Sequence, residues 1–302
     1  MRRLAALALL VLLLCTACGS AKGGRRSAPA PAPVLLAAGD LVGCDSPSAA
    51  ETFKLVEQEP NALVATLGDH VYQTGSPALY RDCYARTWGR VAARDRPTPG
   101  DHDYTSPTAA GYFGYFHRVL ERFGPTAAKW GYYSYDLGAW HVVVLNSNCG
   151  SIGGCDASSA EGRWLSADLA RHPTHCTLAY WHVPLFNSGF EGNRDEGAYF
   201  WQALYAAGAE IVLNGHNHAY ERFAPQTPAG KPDPRGLREF VVGTGGRSHY
   251  PFSQGRLQPN SQVRNDTTFG VLRLALKPRS YTWKFLPAGD GTFTDAGTSS
   301  CH

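Results

Sequence analysis

Aspartate and histidine recur in one setting along this chain: Gly39-Asp40, Gly68-Asp69, Gly100-Asp101-His102, His182, and the run 215-GHNH-218. Taken singly, each has an ordinary structural explanation. A lone Asp caps a turn, and a lone His is a hydrogen-bonded core residue. Their joint occurrence is different. Carboxylates gathered at one place repel, at a cost on the order of several kcal/mol unless cations neutralise them. Carboxylate oxygens with a few imidazoles are a donor set for hard and borderline metals such as iron, manganese and zinc. The chemistry is metal binding.

Such side chains need elements to carry them to one place. Apolar runs at 34–40, 63–69, 141–147, 177–183, 209–215 and 238–244 each lead into Gly, Asp, Asn, Ser or His. Continuous runs of this length read as strands covered on both faces. Helical stretches lie between them at 47–58, which has Pro at its start, at 158–172, and at 195–208, which has Gly at its end. Residues 269–286 alternate in the manner of an antiparallel hairpin. The pattern predicts an α/β sandwich with strands inside and helices outside. Polar residues just past the carboxyl ends of such strands are where sites form.

The order and flanks of the motifs, Gly39-Asp40, 68-GDHVY-72, 100-GDHD-103, 181-WHVP-184 and 215-GHNHAYER-222, resemble those of the calcineurin-like metallophosphoesterases. Within that superfamily they are most similar to the purple acid phosphatases, and the resemblance spans Asp40 to Arg222. It implies a four-layer αββα sandwich with mixed sheets and two metal ions bridged by Asp69. Asp40, Tyr72 and His218 complete one ion's ligands, and Asp101, His182 and His216 the other's. The Tyr72 phenolate favours Fe(III), paired with a divalent Fe, Zn or Mn. Val42 stands where many relatives have a histidine for the first ion, which fits Tyr72 replacing it. The family usually has Asn at position 101; Asp here adds a negative charge, expected to tighten the divalent ion and lower its Lewis acidity.

The implied activity is hydrolysis of phosphomonoesters by a metal-bridging hydroxide. His102 is expected to bind the phosphate and give a proton to the leaving alkoxide, with Asp103 as its partner. Arg247 and His249, in the Gly-rich loop after 238–244, are further candidates for substrate binding. Glu221 and Arg222 are expected to pair with each other and hold the last motif. Two alternatives stay open: phosphodiesters or nucleotides as substrates at the same site, or a lipoprotein that binds metal or phosphate without turnover.

The amino terminus reads as an export signal. Met1-Arg2-Arg3 precedes the apolar run 4–14 and then 15-CTACGS-20. Residues 1–17 are read as a lipoprotein-type signal peptide, with Cys18 the lipidated residue of a bacterial lipobox; Cys15 departs from the usual Leu, and an ordinary cleaved signal is the alternative. Residues 18–33 are the tether, Cys18 followed by Gly, Ser, Ala and Pro with basic residues, and 34–302 is the metallophosphoesterase domain. The protein is thus expected outside the cytoplasm, lipid-anchored or secreted. Losing Arg2 and Arg3 takes the formal charge from +3 down by two, which gives no electrostatic case for a nucleic-acid partner. Six of the eight cysteines remain for disulfides in that compartment. Fifteen pairings are possible; Cys44–Cys83 and Cys149–Cys155 are preferred, leaving Cys176 with Cys301.

Overall fold

The computed structural model describes residues 31–252 and 257–302. The signal segment, Cys18 and nearly all of the tether lie outside the described residues. Strands are β1 (Val34–Ala38), β2 (Leu63–Thr66), β3 (Tyr133–Leu137), β4 (Trp140–Val144), β5 (Thr177–Tyr180), β6 (Ile211–Asn214), β7 (Tyr220–Phe223), β8 (Arg238–Val242), β9 (Ser261–Asn265), β10 (Gly270–Lys277), β11 (Ser280–Pro287) and β12 (Ala296–Ser300). The α-helices are α1 (Ser48–Glu57), α2 (Pro77–Asp82), α3 (Ala110–Leu120), α4 (Pro125–Trp130), α5 (Cys149–Ile152), α6 (Ala160–Arg171) and α7 (Ala198–Ala206). Among the described residues no helix is long and apolar enough to cross a membrane.

Two mixed sheets form, ordered β12-β11-β10-β1-β2 and β3-β4-β5-β6-β8-β7-β9. β1 runs parallel to β2, and β4, β5, β6 and β8 run parallel to one another; the remaining pairings are antiparallel. Side-chain alternation in the second sheet sorts its apolar residues into two cores. Val142, Val144, Leu178, Tyr180, Ile211 and Leu213 join Leu272, Leu274 and Phe285 of the first sheet between the two sheets. Their neighbours Val143, Ala179, Trp181 and Val212 face the other way, onto Leu165 of α6 and Phe200, Trp201 and Leu204 of α7. Ala49, Phe53 and Val56 of α1 pack into the core on the first sheet. This is the four-layer αββα arrangement, with the strands and hairpin that the apolar runs predict.

The six cysteines form Cys44–Cys83, Cys149–Cys155 and Cys176–Cys301. Glu221 and Arg222 do not pair with each other. Successive side chains on a strand point to opposite faces, so on β7 Arg222 turns to Asp295 at 2.7 Å. Glu221 turns the other way and accepts from the Ser188 amide at 2.9 Å and from the Ser261 hydroxyl.

A buried ionic network ties α6 to the edge of the second sheet and makes stability depend on pH. His141 is 1% exposed, with Nε2 2.8 Å from Asp168 and Nδ1 3.1 Å from Asp136. His172 stacks on it at 4.3 Å, and Arg171 lies 3.6 Å from Asp168. Burial lowers the His141 pKa, but hydrogen bonds and charge from Asp168 and Asp136 outweigh it and raise the pKa on balance. For Asp168 burial acts upward, and the His141 and Ser134 bonds with the charges of His141 and His172 bring it below the ordinary value. A raised histidine stabilises the fold fully below its unfolded pKa of about 6.5 and loses that contribution as pH rises through the folded value. The depressed aspartate contributes above its unfolded pKa of about 4 and loses it as pH falls. The melting-temperature gap between wild type and His141→Gln should therefore be widest near pH 5–6, between those unfolded values, and narrow towards pH 9. A gap that widens with pH would refute this account.

Candidate metal centre

The candidate ligands lie just past the carboxyl ends of strands from both sheets. Asp40 follows β1 and Asp69 follows β2, while His182 follows β5 and His216 follows β6. Asp101 and His102 follow Thr98, which bridges in parallel to Leu67 beyond β2. Three of the positions have left-handed backbones: Asp40 (φ 61°), Asp69 (φ 52°) and His216 (φ 69°). Non-glycine residues rarely adopt that region, and such strain gathers at functional sites. Close approach explains the glycines beside them. A Cβ on Gly68 (φ 88°) would stand 2.5 Å from His182 Nδ1, and one on Gly100 would stand 2.1 Å from an Asp69 carboxylate oxygen.

Asp40, Asp69, Tyr72, His182 and His218 are nearly or wholly buried, and Asp101 and His216 face a cleft of about 440 Å³. The Tyr72 hydroxyl donates towards Asp40 (2.8 Å) and Asp69 (2.6 Å) and lies 3.2 Å from His218 Nε2. His218 Nε2 is 3.2 Å from Asp40. On the other side, Asp101 Oδ1 is 3.0 Å from His182 Nε2 and 3.1 Å from His216 Nδ1. Asp69 joins the halves: Oδ2 meets Tyr72 and Oδ1 lies 3.4 Å from His182 Nε2. Both imidazoles are oriented from behind, His182 through Nδ1 2.7 Å from the Leu67 carbonyl and His218 through Nδ1 2.7 Å from the Ser248 hydroxyl. Such outer bonds fix the tautomer that leaves the inner nitrogen free to ligate.

The electrostatics are those of a cation site. Burial lowers His182, but Asp69, Asp101 and Asp40 raise it well above the usual imidazole value. Burial raises Asp40, and His218, then His182 and Tyr72, bring it down on balance. Burial, then the charges of Asp40 and Asp69, push the Tyr72 phenol far above 10. His182 Nε2 and His216 Nε2 are buried and make no aligned hydrogen bond, the first close to Asp101 and Asp69 and the second 3.9 Å from Glu191. His182 Nε2 and His216 Nδ1 both face Asp101 Oδ1, and imidazole nitrogens turned onto clustered carboxylates fit a metal ion, whose affinity offsets what burial of those groups costs.

His102 stands beside this cluster with its ring 4.5 Å from that of Tyr72. Its amide donates to Asp69 at 2.9 Å, and its Nδ1 lies 2.8 Å from the Gln73 carbonyl, which leaves Nε2 as the second ring nitrogen. Asp103 is not its partner. That carboxylate turns inward, to His70 Nδ1 (2.9 Å), the Tyr80 hydroxyl (2.7 Å) and the Gly100 amide (2.9 Å). Arg247 stands over the Tyr72 ring at 5.1 Å. His249 packs on Phe269 at 3.9 Å and does not line the cleft. Alternation along that loop gives the site its neighbours instead: Ser248 bonds His218, and Tyr250 stacks on it at 3.9 Å. Asn148, Glu191, Arg194 and Glu196 also line the cleft; they sit in connections with no local pattern to single them out.

Residues 30–220, more than half of the chain, match the calcineurin-like phosphoesterase family. The chain belongs to that family. Calcineurin-like phosphoesterases similar to it include Purple acid phosphatase 18 of Arabidopsis thaliana, 37% identical over 122 residues that cover 38% of this chain and 26% of that protein. Purple acid phosphatase 23 of the same plant is 31% identical over 223 residues, 61% of this chain and 46% of that one. This phosphoesterase chain thus spans between about a quarter and a half of the length of those two relatives. Among solved structures, purple acid phosphatase PPD1 from yellow lupin seeds superposes with a TM-score of 0.71 at 18% identity, covering 89% of this chain and 53% of that one. GAP50, the anchor in the inner membrane complex of Plasmodium, superposes at 0.63 and 14% identity, covering 88% of each chain. At those identities the superpositions establish the fold.

Proposed function

We propose that this protein is a phosphatase with a binuclear metal centre that hydrolyses phosphomonoesters outside the cytoplasm. The observation that carries the reading is the convergence of Asp40, Tyr72 and His218 on one side of Asp69, and of Asp101, His182 and His216 on the other. Asp69 would bridge two ions, and each trio would complete one. Two cations held there supply Lewis acidity towards phosphoryl oxygens and a water acidic enough to act as nucleophile. Tyr72 favours a trivalent ion, because a phenolate is a hard anionic donor. The second ion is divalent Fe, Zn or Mn.

His102 performs the proton chemistry. Its Nδ1–H is committed to the Gln73 carbonyl, so the nitrogen that would hand a proton to the leaving alkoxide is Nε2, and the ring that does so carries a proton on both nitrogens. The cleft excludes bulk water on the Tyr72 and His182 side, where both residues are buried. Export and anchoring through Cys18 are part of the same reading, supported by three disulfides that suit an oxidising compartment.

Metal analysis by mass spectrometry on protein purified without chelator tests the proposal. About two metals per chain, one of them iron, with a visible charge-transfer band that Tyr72→Phe removes, is the expected result. Asp101→Asn is expected to retain the divalent ion less well and to bind phosphate more tightly. A zinc or manganese pair would keep the hydrolase and remove Fe(III). A chain that stays metal-free after reconstitution would sink the proposal.

A further inference from the structure

The cleft over the candidate metal centre opens into a larger groove of about 940 Å³, and the two share Cys149, Arg194 and Glu196 in their walls. One wall of the groove is the ring closed by Cys149–Cys155; the other is the connection from β5 to α7 and the first turns of α7. Arg194 and Glu196 stand on that connection, at the junction.

Among the described residues lining the cleft, Arg194 is the one Lys or Arg side chain, against the carboxylates of Asp69, Asp101, Glu191 and Glu196. Its side chain is 46% exposed and meets Glu196 by a single contact, Nη2 to Oε1 at 3.0 Å. That pair lies within the field of the metal site. Glu191 and Asp101 act on Arg194 besides Glu196, and His216 acts on Glu196. A half-exposed, single-contact ion pair contributes little. A guanidinium offers a fork of donors that fits two phosphoryl oxygens at once. A dianionic phosphate arriving in the cleft is a stronger partner than Glu196.

We propose that Arg194 is the residue that positions the substrate, exchanging its contact with Glu196 for two non-bridging oxygens of the phosphoryl group, with the leaving group directed along the Cys149–Cys155 groove. The inference rests on the phosphatase reading and narrows it. A phosphomonoester presents several unsubstituted oxygens to the ions and the fork together; a phosphodiester has fewer and carries less charge. Glu196 is the latch that holds the fork in place between turnovers, so the two residues have opposite effects on binding.

Steady-state kinetics with p-nitrophenyl phosphate and bis(p-nitrophenyl) phosphate, and competitive inhibition by inorganic phosphate, test this on wild type, Arg194→Gln, Arg194→Lys and Glu196→Gln. Arg194→Gln is expected to raise KM for the monoester and the inhibition constant of phosphate about 10-fold, the scale of a lost charge-assisted bond, with kcat within about twofold. The diester is expected to be less affected. Arg194→Lys should recover part of the loss, and Glu196→Gln should lower both constants. Metal content and melting temperature should not move in any variant. Equal shifts in the same direction for Arg194→Gln and Glu196→Gln, or unchanged phosphate affinity in Arg194→Gln, would overturn the inference while wild-type turnover left the phosphatase reading standing. A wild type that holds metals but neither turns over the monoester nor binds phosphate would overturn both.

Discussion

Asp69→Asn should leave a folded protein that no longer keeps its metal pair and whose phosphatase activity falls on the order of 10³-fold or more. The Asp69 carboxylate reaches a candidate ligand side chain in each half of the site, Tyr72 at 2.6 Å through one oxygen and His182 at 3.4 Å through the other. Asn keeps the shape and tolerates the left-handed backbone that Asp69 adopts. What it removes is one of three clustered negative charges. The consequence for stability has the opposite sign from that for activity. Without cations the carboxylates of Asp40, Asp69 and Asp101 repel, so the variant stripped of metal should melt no lower than stripped wild type. Metal content by mass spectrometry and calorimetry with and without chelator read the two effects separately. Full metal retention by Asp69→Asn would refute the bridging role.

Asp103→Ala should cost about 3–5 kcal/mol of stability, the range for removing one partner of a buried ionic cluster. Asp103 is wholly buried and receives His70, the Tyr80 hydroxyl and the Gly100 amide. Truncation strands all three in a shell of aromatic rings, where His70 stands 5.4 Å from Tyr84 and 4.9 Å from Phe116. The loss reaches the site because Gly100 immediately precedes Asp101 and His102, and its amide is anchored by this carboxylate. Urea unfolding should show the drop, and metal retention should weaken with it. Asp103→Asn, which keeps an acceptor for the Tyr80 hydroxyl, should fall between the two. Wild-type stability in Asp103→Ala would show that the cluster contributes nothing net.

The two aspartates illustrate what can be read from the chain and what cannot. Asp69 is legible because its signals are local: an apolar run, a glycine, a carboxylate, repeated at other strand ends. The direction in which Asp103 points is set by His70 and Tyr80, 33 and 23 residues away in sequence, and nothing in 100-GDHD-103 announces it. The same holds for Arg222, whose partner Asp295 lies 73 residues on. The helix α3 went unpredicted although Tyr112, Phe116, Val119 and Leu120 form a buried stripe at helical spacing. Its interior Gly114 and its crowded aromatics lower intrinsic helix propensity, and tertiary packing overrides that. Glu191, Arg194 and Glu196 lie on the β5–α7 connection, which only the tertiary fold brings to the border of the cleft.

The candidate ligands come from both sheets, Asp40 and Asp69 from beyond β1 and β2, His182 and His216 from beyond β5 and β6. A metal pair held by them is therefore a clasp across the seam of the sandwich. The sheets cannot part at that end without giving up ligands from one side of the pair. Free metal concentration then sets stability by mass action. Under the export proposed above, the surroundings it folds into, and not its core alone, decide how long it lasts.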